Sequence, residues 1–502
     1  MKRLFYLLFL LLFLGCNNDA PKTIVHVLVI NNVNYNLTEE AYNSLSAYLE
    51  FLNEYYASED NPEEIIDIIT TKIADELGQK LDTWEDVISL SELEAIIEEL
   101  NRQVESGEIS GVPVIPGLGE IAPLTILAYL VANNNLDDDL LANIGAMYDG
   151  LAEMKEEATL LVYWDGRTAI GDNNSKHLIL KYQTDGKGNI NGAPALDSSC
   201  PLDDVLAEGE IVKEYDTQYS VDKDVMSQVL TDMIAKSSTT KFGLIFGSHA
   251  SSWLNSIYPS RAFGQDGNGD NTMLIPDMVE ALSAVNKKFE FILFDACYMG
   301  TTEVAYAFRN VCNYQLTSVM EVPAYGFPYE DFMKYLYKGN VDDYKKVCQS
   351  YIDFYKSLYS EGTSAWATVS LIDSKEMDYL ASELKKEIVA HKNVLANYDT
   401  DHLQEYGRSN GPYIACDLGH MISDLNGGAI PSAFSDQLAK TILYKGCLEK
   451  ARPASYAVEA MNYSGLGIYI PVEARSNWNK YFKTLDWYTA SGWNEVTFSW
   501  NF

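Results

Sequence analysis

Short apolar runs alternating with helix-like stretches organise most of this chain. Leu124 to Val131 reads LTILAYLV and is followed by Asn133-Asn134-Asn135 and a helical stretch from Asp137 to Met154. Thr159 to Trp164 (TLLVYW) closes on Asp165-Gly166, and Phe242 to Phe246 (FGLIF) closes on Gly247-Ser248-His249. Phe291 to Phe294 (FILF) closes on Asp295-Ala296-Cys297, and Leu316 to Met320 reads as a fifth strand. Short apolar strands separated by helices predict an α/β fold whose mostly parallel sheet is covered on both faces. Ligands of such sheets bind beyond the carboxyl ends of the strands. His249 and Cys297 both stand just past such ends.

The first part of the chain follows other rules. Lys2 and Arg3 precede an unbroken apolar run from Leu4 to Leu14, which reads as a signal peptide over residues 1–15. The run is too short to span a bilayer as a helix. It ends in Leu14-Gly15-Cys16, the arrangement of a bacterial lipobox, so Cys16 is the expected lipidation site and the membrane an expected partner through that lipid. A plain secretory signal with an incidental cysteine is the alternative. Ile24 to Ile30 is compatible with a strand. Beyond it, Ile65, Ile69, Ile73 and Leu77, and then Leu93, Ile96, Ile97 and Leu100, form apolar stripes at helical spacing. Gly111 to Gly119 breaks the periodicity and reads as a linker. The expected organisation is a signal at 1–15, an acidic helical region at 16–119, a core at 120–345 and a C-terminal α/β subdomain at 346–502.

Charge sharpens this division. The 502 residues hold 72 acidic and 36 basic side chains, and residues 39–108 alone hold twenty acidic and three basic ones. A solvated helix surface explains that excess better than a cation site does. A pI near 4.4 argues against nucleic acid as a partner, because phosphate binding needs a basic surface. The seven cysteines (16, 200, 297, 312, 348, 416 and 447) contain no CxxC pair, and the six histidines no HxxxH pair, so neither a metal site nor a disulfide framework is indicated.

Cys297 lies 48 residues after His249. A thiolate attacks carbonyls well but needs a neighbouring base or cation to be populated at neutral pH. A histidine and a cysteine at the ends of two strands of one parallel sheet can meet for that purpose. Each residue alone also fits a structural role, the cysteine as a buried small hydrophobe and the histidine as a satisfied polar group.

The flanking residues decide between these. Phe294-Asp295-Ala296-Cys297, Met299-Gly300 and Glu303-Val304-Ala305-Tyr306 resemble the signature of the clostripain-like cysteine peptidases of the caspase-like clan. Gly243 to His249 with Trp253, Asn134-Asn135-Leu136 after the first strand, and Ser464 to Pro471 are similar to further blocks of that family. The resemblance covers about residues 120 to 500. It implies a caspase-like αβα sandwich and an endopeptidase acting on peptide or protein substrates, with Cys297 as nucleophile and His249 as general base and acid. The backbone N–H groups of Ala250 and Cys297 are the expected oxyanion donors. The family commonly has glycine after the histidine, where this chain has Ala250, and Ser252 replaces a second glycine. No third catalytic residue is apparent.

The resemblance also implies carboxylates in the pocket for an Arg or Lys before the scissile bond. Asp295 matches one of them. The other falls in Ala324-Tyr325-Gly326-Phe327-Pro328-Tyr329, where Tyr325 replaces the acid. Trp253 and Tyr325 join Asp295 as expected substrate-binding residues. Asp266-Gly267-Asn268-Gly269-Asp270 resembles the start of a calcium loop but lacks the glycine and glutamate that complete one; an acidic turn accounts for it better, and calcium stays open only through the family resemblance. Lys187, in the Gly/Asn-rich stretch 184–195, is the expected self-cleavage site, because exposed turns are preferred sites of nicking. Two other readings stay open: a catalytically inactive envelope binding lipoprotein that keeps the fold, and a transpeptidase differing only in its acceptor amine.

Overall fold

The computed structural model describes residues 25–30, 33–38, 62–80 and 87–105, several positions within 41–52, and residues 124–502 apart from 171–174, 238, 240, 255–262, 268–270, 408–412 and 501. Cys16, the signal and the linker at 111–119 lie outside the described residues. The chain divides into two compact units, residues 1–123 and 124–502.

In the first unit, β1 (Val25–Ile30) and β2 (Val33–Thr38) form an antiparallel pair. Helices α1 (Pro62–Lys80) and α2 (Leu90–Glu105) carry the two predicted stripes. Ile65, Ile69, Ile73, Leu77, Leu93, Ile96, Ile97 and Leu100 are all buried, in one core with Tyr35 and Leu37 of β2. Ser89 and Glu92 cap α2 reciprocally, each accepting the other's backbone N–H. The described acidic side chains fall outside this core, as expected of a solvated helix surface.

The second unit is built on one sheet. Its central strands are β3 (Leu124–Ala132), β4 (Glu157–Ile170), β9 (Lys241–Gly247), β12 (Phe289–Asp295) and β13 (Cys312–Thr317). They lie parallel in the order β4-β3-β9-β12-β13. Beyond β4 the sheet continues antiparallel through β5 (Ser175–Asp185), which pairs with β6 (Asn189–Ile190) and β8 (Glu210–Glu214); β7 (Ala193–Pro194) follows β6. Beyond β13 come β14 (Thr368–Asp373) and β17 (Ile442–Cys447), also antiparallel. Eleven strands are thus joined among the described residues.

Alternation along the strands builds a core on each face. Leu127, Tyr129 and Val131 of β3 pack on one side with helices α4 (Lys223–Ala235), α5 (Ile275–Ala284) and α6 (Thr302–Phe308). Ile126, Ala128 and Leu130 pack on the other with α3 (Asp137–Ala152), α7 (Tyr329–Leu336) and α8 (Val341–Ser360). This is an αβα sandwich, as the apolar runs predicted.

Two expectations are corrected. The fifth strand starts at Cys312 and ends at Thr317, because its polar half (Asn313 to Gln315) pairs with β12. Residues 346–502 do not form a subdomain of their own. They add β14 and β17 to the main sheet and bring a small sheet of β15 (Glu405–Gly407), β16 (Tyr413–Asp417) and β18 (Gly467–Ile468) against the segment after Cys297, where Gly467 donates its N–H to Gly300. None of the described helices is long and apolar enough to cross a membrane.

Candidate active site

Strand register brings the two chemistry-bearing residues side by side. Gly247 of β9 pairs with Asp295 of β12. His249 and Cys297 each follow two residues later, at the carboxyl ends of neighbouring strands roughly 4.8 Å apart. Both are half-buried and line one cleft of about 300 Å³. Ala250, Asp295, Asp139 and Glu321 line the same cleft.

The turn after the cysteine is fastened to the end of β13. Tyr298 donates its N–H to Met320 at 2.9 Å, and Gly300 to Ser318 at 2.7 Å. A Cβ on Gly300 would lie 2.7 Å from the Val319 nitrogen, so this approach requires glycine. Tyr298 takes φ +62°, unusual for a bulky residue and costing about 1–3 kcal/mol, which its burial and those backbone bonds offset. The Cys297 thiol is directed at the carbonyl of Val322, 3.8 Å away.

The histidine side is equally fixed. Ser248 donates its hydroxyl to Val131 of β3 at 2.7 Å, and the His249 carbonyl accepts the Gly264 N–H at 2.8 Å. Ala250 keeps a negative φ, so alanine replaces glycine there without strain; Ser252 takes φ +59°, where glycine would be at ease, and bonds Thr301 through its hydroxyl at 2.7 Å. His249 Nε2 lies 2.9 Å from Oδ1 of Asn135.

Asp295 forms the floor. Its Oδ2 accepts from the Tyr329 hydroxyl at 2.8 Å, the Phe327 N–H at 3.3 Å and the Asn143 amide at 3.5 Å. Burial outweighs these bonds and raises its pKa to about 6. Gly326, at φ +67°, passes so close that a Cβ would lie 2.5 Å from that oxygen. Burial and the neighbouring Asp138 also raise the Asp139 carboxyl. Glu321, on the opposite segment, accepts from the Tyr456 hydroxyl, and its backbone carbonyl accepts from Trp366, whose ring stacks on Tyr456.

Two expected binding residues are elsewhere. Trp253 is 1% exposed and packs against Tyr469, Tyr481 and Phe482, so it belongs to the core rather than the cleft. Tyr325 is 56% exposed, its ring edge-on to Phe354 outside the cleft lining. Lys187 sits exposed in the β5–β6 turn, where Asp185 accepts its N–H at 2.8 Å. Asp266 is buried and spends its carboxylate on Asn133 and the Ser220 N–H, while 268–270 lie outside the described residues. No group of three metal-ligating side chains occurs among the described residues.

Cys312, Cys348 and Cys416 are buried thiols raised far above the ordinary range, Cys312 to about 12. Sequence reasoning missed Asn135, Asp139 and Glu321. The run of three asparagines past the end of β3 was the one available signal.

Residues 128–500 match the model of the clostripain family. The structure is similar to that of a secreted C11 cysteine protease from Bacteroides thetaiotaomicron in complex with an irreversible peptide inhibitor. The two share 27% identity at a TM-score of 0.58, over 74% of this chain and 100% of that one. It is also similar to an inactive zymogen C11 protease from Parabacteroides distasonis, at 27% identity and a TM-score of 0.58, over 74% of this chain and 98% of that one. A second secreted protease from Bacteroides thetaiotaomicron, iotapain, shares the fold at 23% identity and a TM-score of 0.57, over 74% of this chain and 99% of that one. No protein of curated function matches the chain.

Proposed function

This chain belongs to the clostripain family and is a cysteine endopeptidase, and we propose that Cys297 is its nucleophile and His249 its general base. The observation that carries this is the register that sets the two residues at adjoining strand ends in one cleft. His249 takes the thiol proton as sulfur attacks the scissile carbonyl, and the oxyanion forms against the N–H groups of Ala250 and Cys297. The imidazolium then protonates the departing amine. Water, deprotonated by the same imidazole, releases the acyl group and regenerates the thiol. Hydrolysis of internally quenched peptides tests the assignment: Cys297→Ala and His249→Ala each lower kcat by about 10³-fold or more. Rates equal to wild type refute it.

The cleft also supports a preference for Arg or Lys before the scissile bond. Asp295 lies at its floor, and Glu321 brings a second carboxylate to its wall where Tyr325 has none to offer. Internal cleavage after Lys187 is part of the same proposal, since the Parabacteroides distasonis relative is described as an inactive zymogen.

Export and lipid anchoring through Cys16 complete the reading. They rest on the signal-like run and the Leu14-Gly15-Cys16 arrangement, and relatives are described as secreted. Metabolic labelling with an alkyne fatty acid tests it: label absent from wild type, or retained in Cys16→Ser, counts against the anchor.

A further inference from the structure

We infer that Asn135 is the positioning residue for His249, completing a Cys–His–Asn arrangement in which the asparagine fixes the tautomer of the base. The inference rests on the assignment of His249 as the base. Its Nε2 is 2.9 Å from Oδ1 of Asn135, a hydrogen-bond distance. An amide oxygen accepts only, so the ring nitrogen facing it carries the proton. A neutral imidazole protonated at Nε2 holds its lone pair on Nδ1, which makes Nδ1 the nitrogen that receives the thiol proton. Once the ring is protonated, the same oxygen faces a cationic donor, and such bonds are stronger than neutral ones. The contact therefore favours the imidazolium that proton transfer creates.

The backbone around Asn135 is held more firmly than an exposed loop requires. The preceding Asn134 is fully buried and uses its whole amide. It donates to the carbonyls of Val131 at 2.9 Å and Gln265 at 2.8 Å, and accepts the Leu136 N–H at 2.8 Å. Asn133 donates to Asp266 at 3.0 Å and accepts the Gly267 N–H at 3.0 Å. Strand β10 (Phe263–Asp266), which pairs with β11 (Asn271–Met273), thus grips the asparagine loop through Gln265 and Asp266, and the histidine loop through the bond from Gly264 to the His249 carbonyl. Both partners are referred to one short strand. Asn135 itself is exposed, so its substitution leaves the fold intact.

The test uses the full chain labelled with ¹⁵N-histidine, the His249 signals being identified by their loss in His249→Ala. Wild type shows the tautomer protonated at Nε2, and Asn135→Ala moves toward a mixture of tautomers. In peptide hydrolysis Asn135→Ala lowers kcat about tenfold or more, in the range that loss of an orienting partner costs elsewhere, with KM changed less than about twofold. Asn135→Asp keeps the Nε2 tautomer and raises the acid limb of the kcat/KM profile by about one pH unit, because a carboxylate favours the imidazolium. An alanine variant that keeps either the wild-type tautomer or the wild-type kcat overturns the inference. The spectrum decides the role of Asn135 even if the chain hydrolyses nothing, an outcome that would instead count against the peptidase mechanism.

Discussion

The Tyr329 hydroxyl donates to Oδ2 of Asp295 at 2.8 Å, joining the residue two before the nucleophile to the first turn of α7. Asp295 is thereby held as a carboxylate acceptor although burial lifts its pKa to about 6. A basic substrate side chain needs the ionised form. Below pH 6 the free enzyme carries Asp295 protonated; above it the charge is present. The kcat/KM ratio for Lys over norleucine before the scissile bond therefore rises with pH through about 6 and levels off above 7. Asp295→Asn flattens the ratio. A wild-type ratio independent of pH between 5 and 7.5, the range that brackets this pKa, contradicts the assignment.

Glu321 is the second acid of the cleft. Glu321→Gln keeps an acceptor for the Tyr456 hydroxyl and removes the charge. The same Lys-to-norleucine ratio then drops by about tenfold, the size of one charge-assisted hydrogen bond. An unchanged ratio assigns Glu321 a purely structural part.

Asp165 is fully buried, its Oδ1 3.4 Å from Nδ1 of His177, with Asp266 close enough to raise it further; burial is the main cause, and its pKa reaches about 8. An acid whose folded pKa exceeds its unfolded value keeps a proton the unfolded chain releases, so stability falls as pH rises between the two values. Burial of His177 depresses its own pKa and opposes this below about 6.5. The clean window is pH 6.5 to 8, where the ionisation costs up to about 1.4 kcal/mol per pH unit. Asp165→Asn, neutral at every pH, gains Tm over wild type across that window. A Tm difference that does not change with pH refutes the raised pKa.

Self-cleavage after Lys187 requires its turn to open. Gly186 and Gly188 take φ +68° and +90°, and Asp185 accepts the N–H groups of Lys187 and Asn189, so the turn is not the extended segment a protease binds. Nicking is accordingly slow. Wild type incubated at high concentration yields two fragments, whereas Lys187→Gln and Cys297→Ala stay whole. Cleavage at another position, or none, rejects the site.

Much of this was legible in the sequence because it depends on local pattern. Wholly apolar runs mark strands buried on both faces, and His249 and Cys297 follow two of them directly. The stripes of α1 and α2 are likewise local. What the pattern concealed depends on partners far away in the chain. Strands β5, β14 and β17 join the sheet by antiparallel pairings, and the polar residues within them, such as Lys181, Ser370 or Lys445, dilute the apolar signal. Trp253 was misread because a tryptophan near a catalytic histidine fits a pocket and a core equally; Tyr469 and Phe482, more than 200 residues on, decide for the core. Glu321 reaches the cleft, and Asn135 the ring of His249, through the sheet order β3-β9-β12-β13, which no spacing rule encodes.

The most direct measurement is labelling with an acyloxymethyl ketone probe carrying Lys next to the warhead, followed by peptide mapping of the modified cysteine. Labelling is predicted on Cys297 alone, abolished by Cys297→Ala and by His249→Ala, with the buried thiols Cys312, Cys348 and Cys416 unmodified. Modification of another cysteine, or undiminished labelling of Cys297 without His249, would contradict the account.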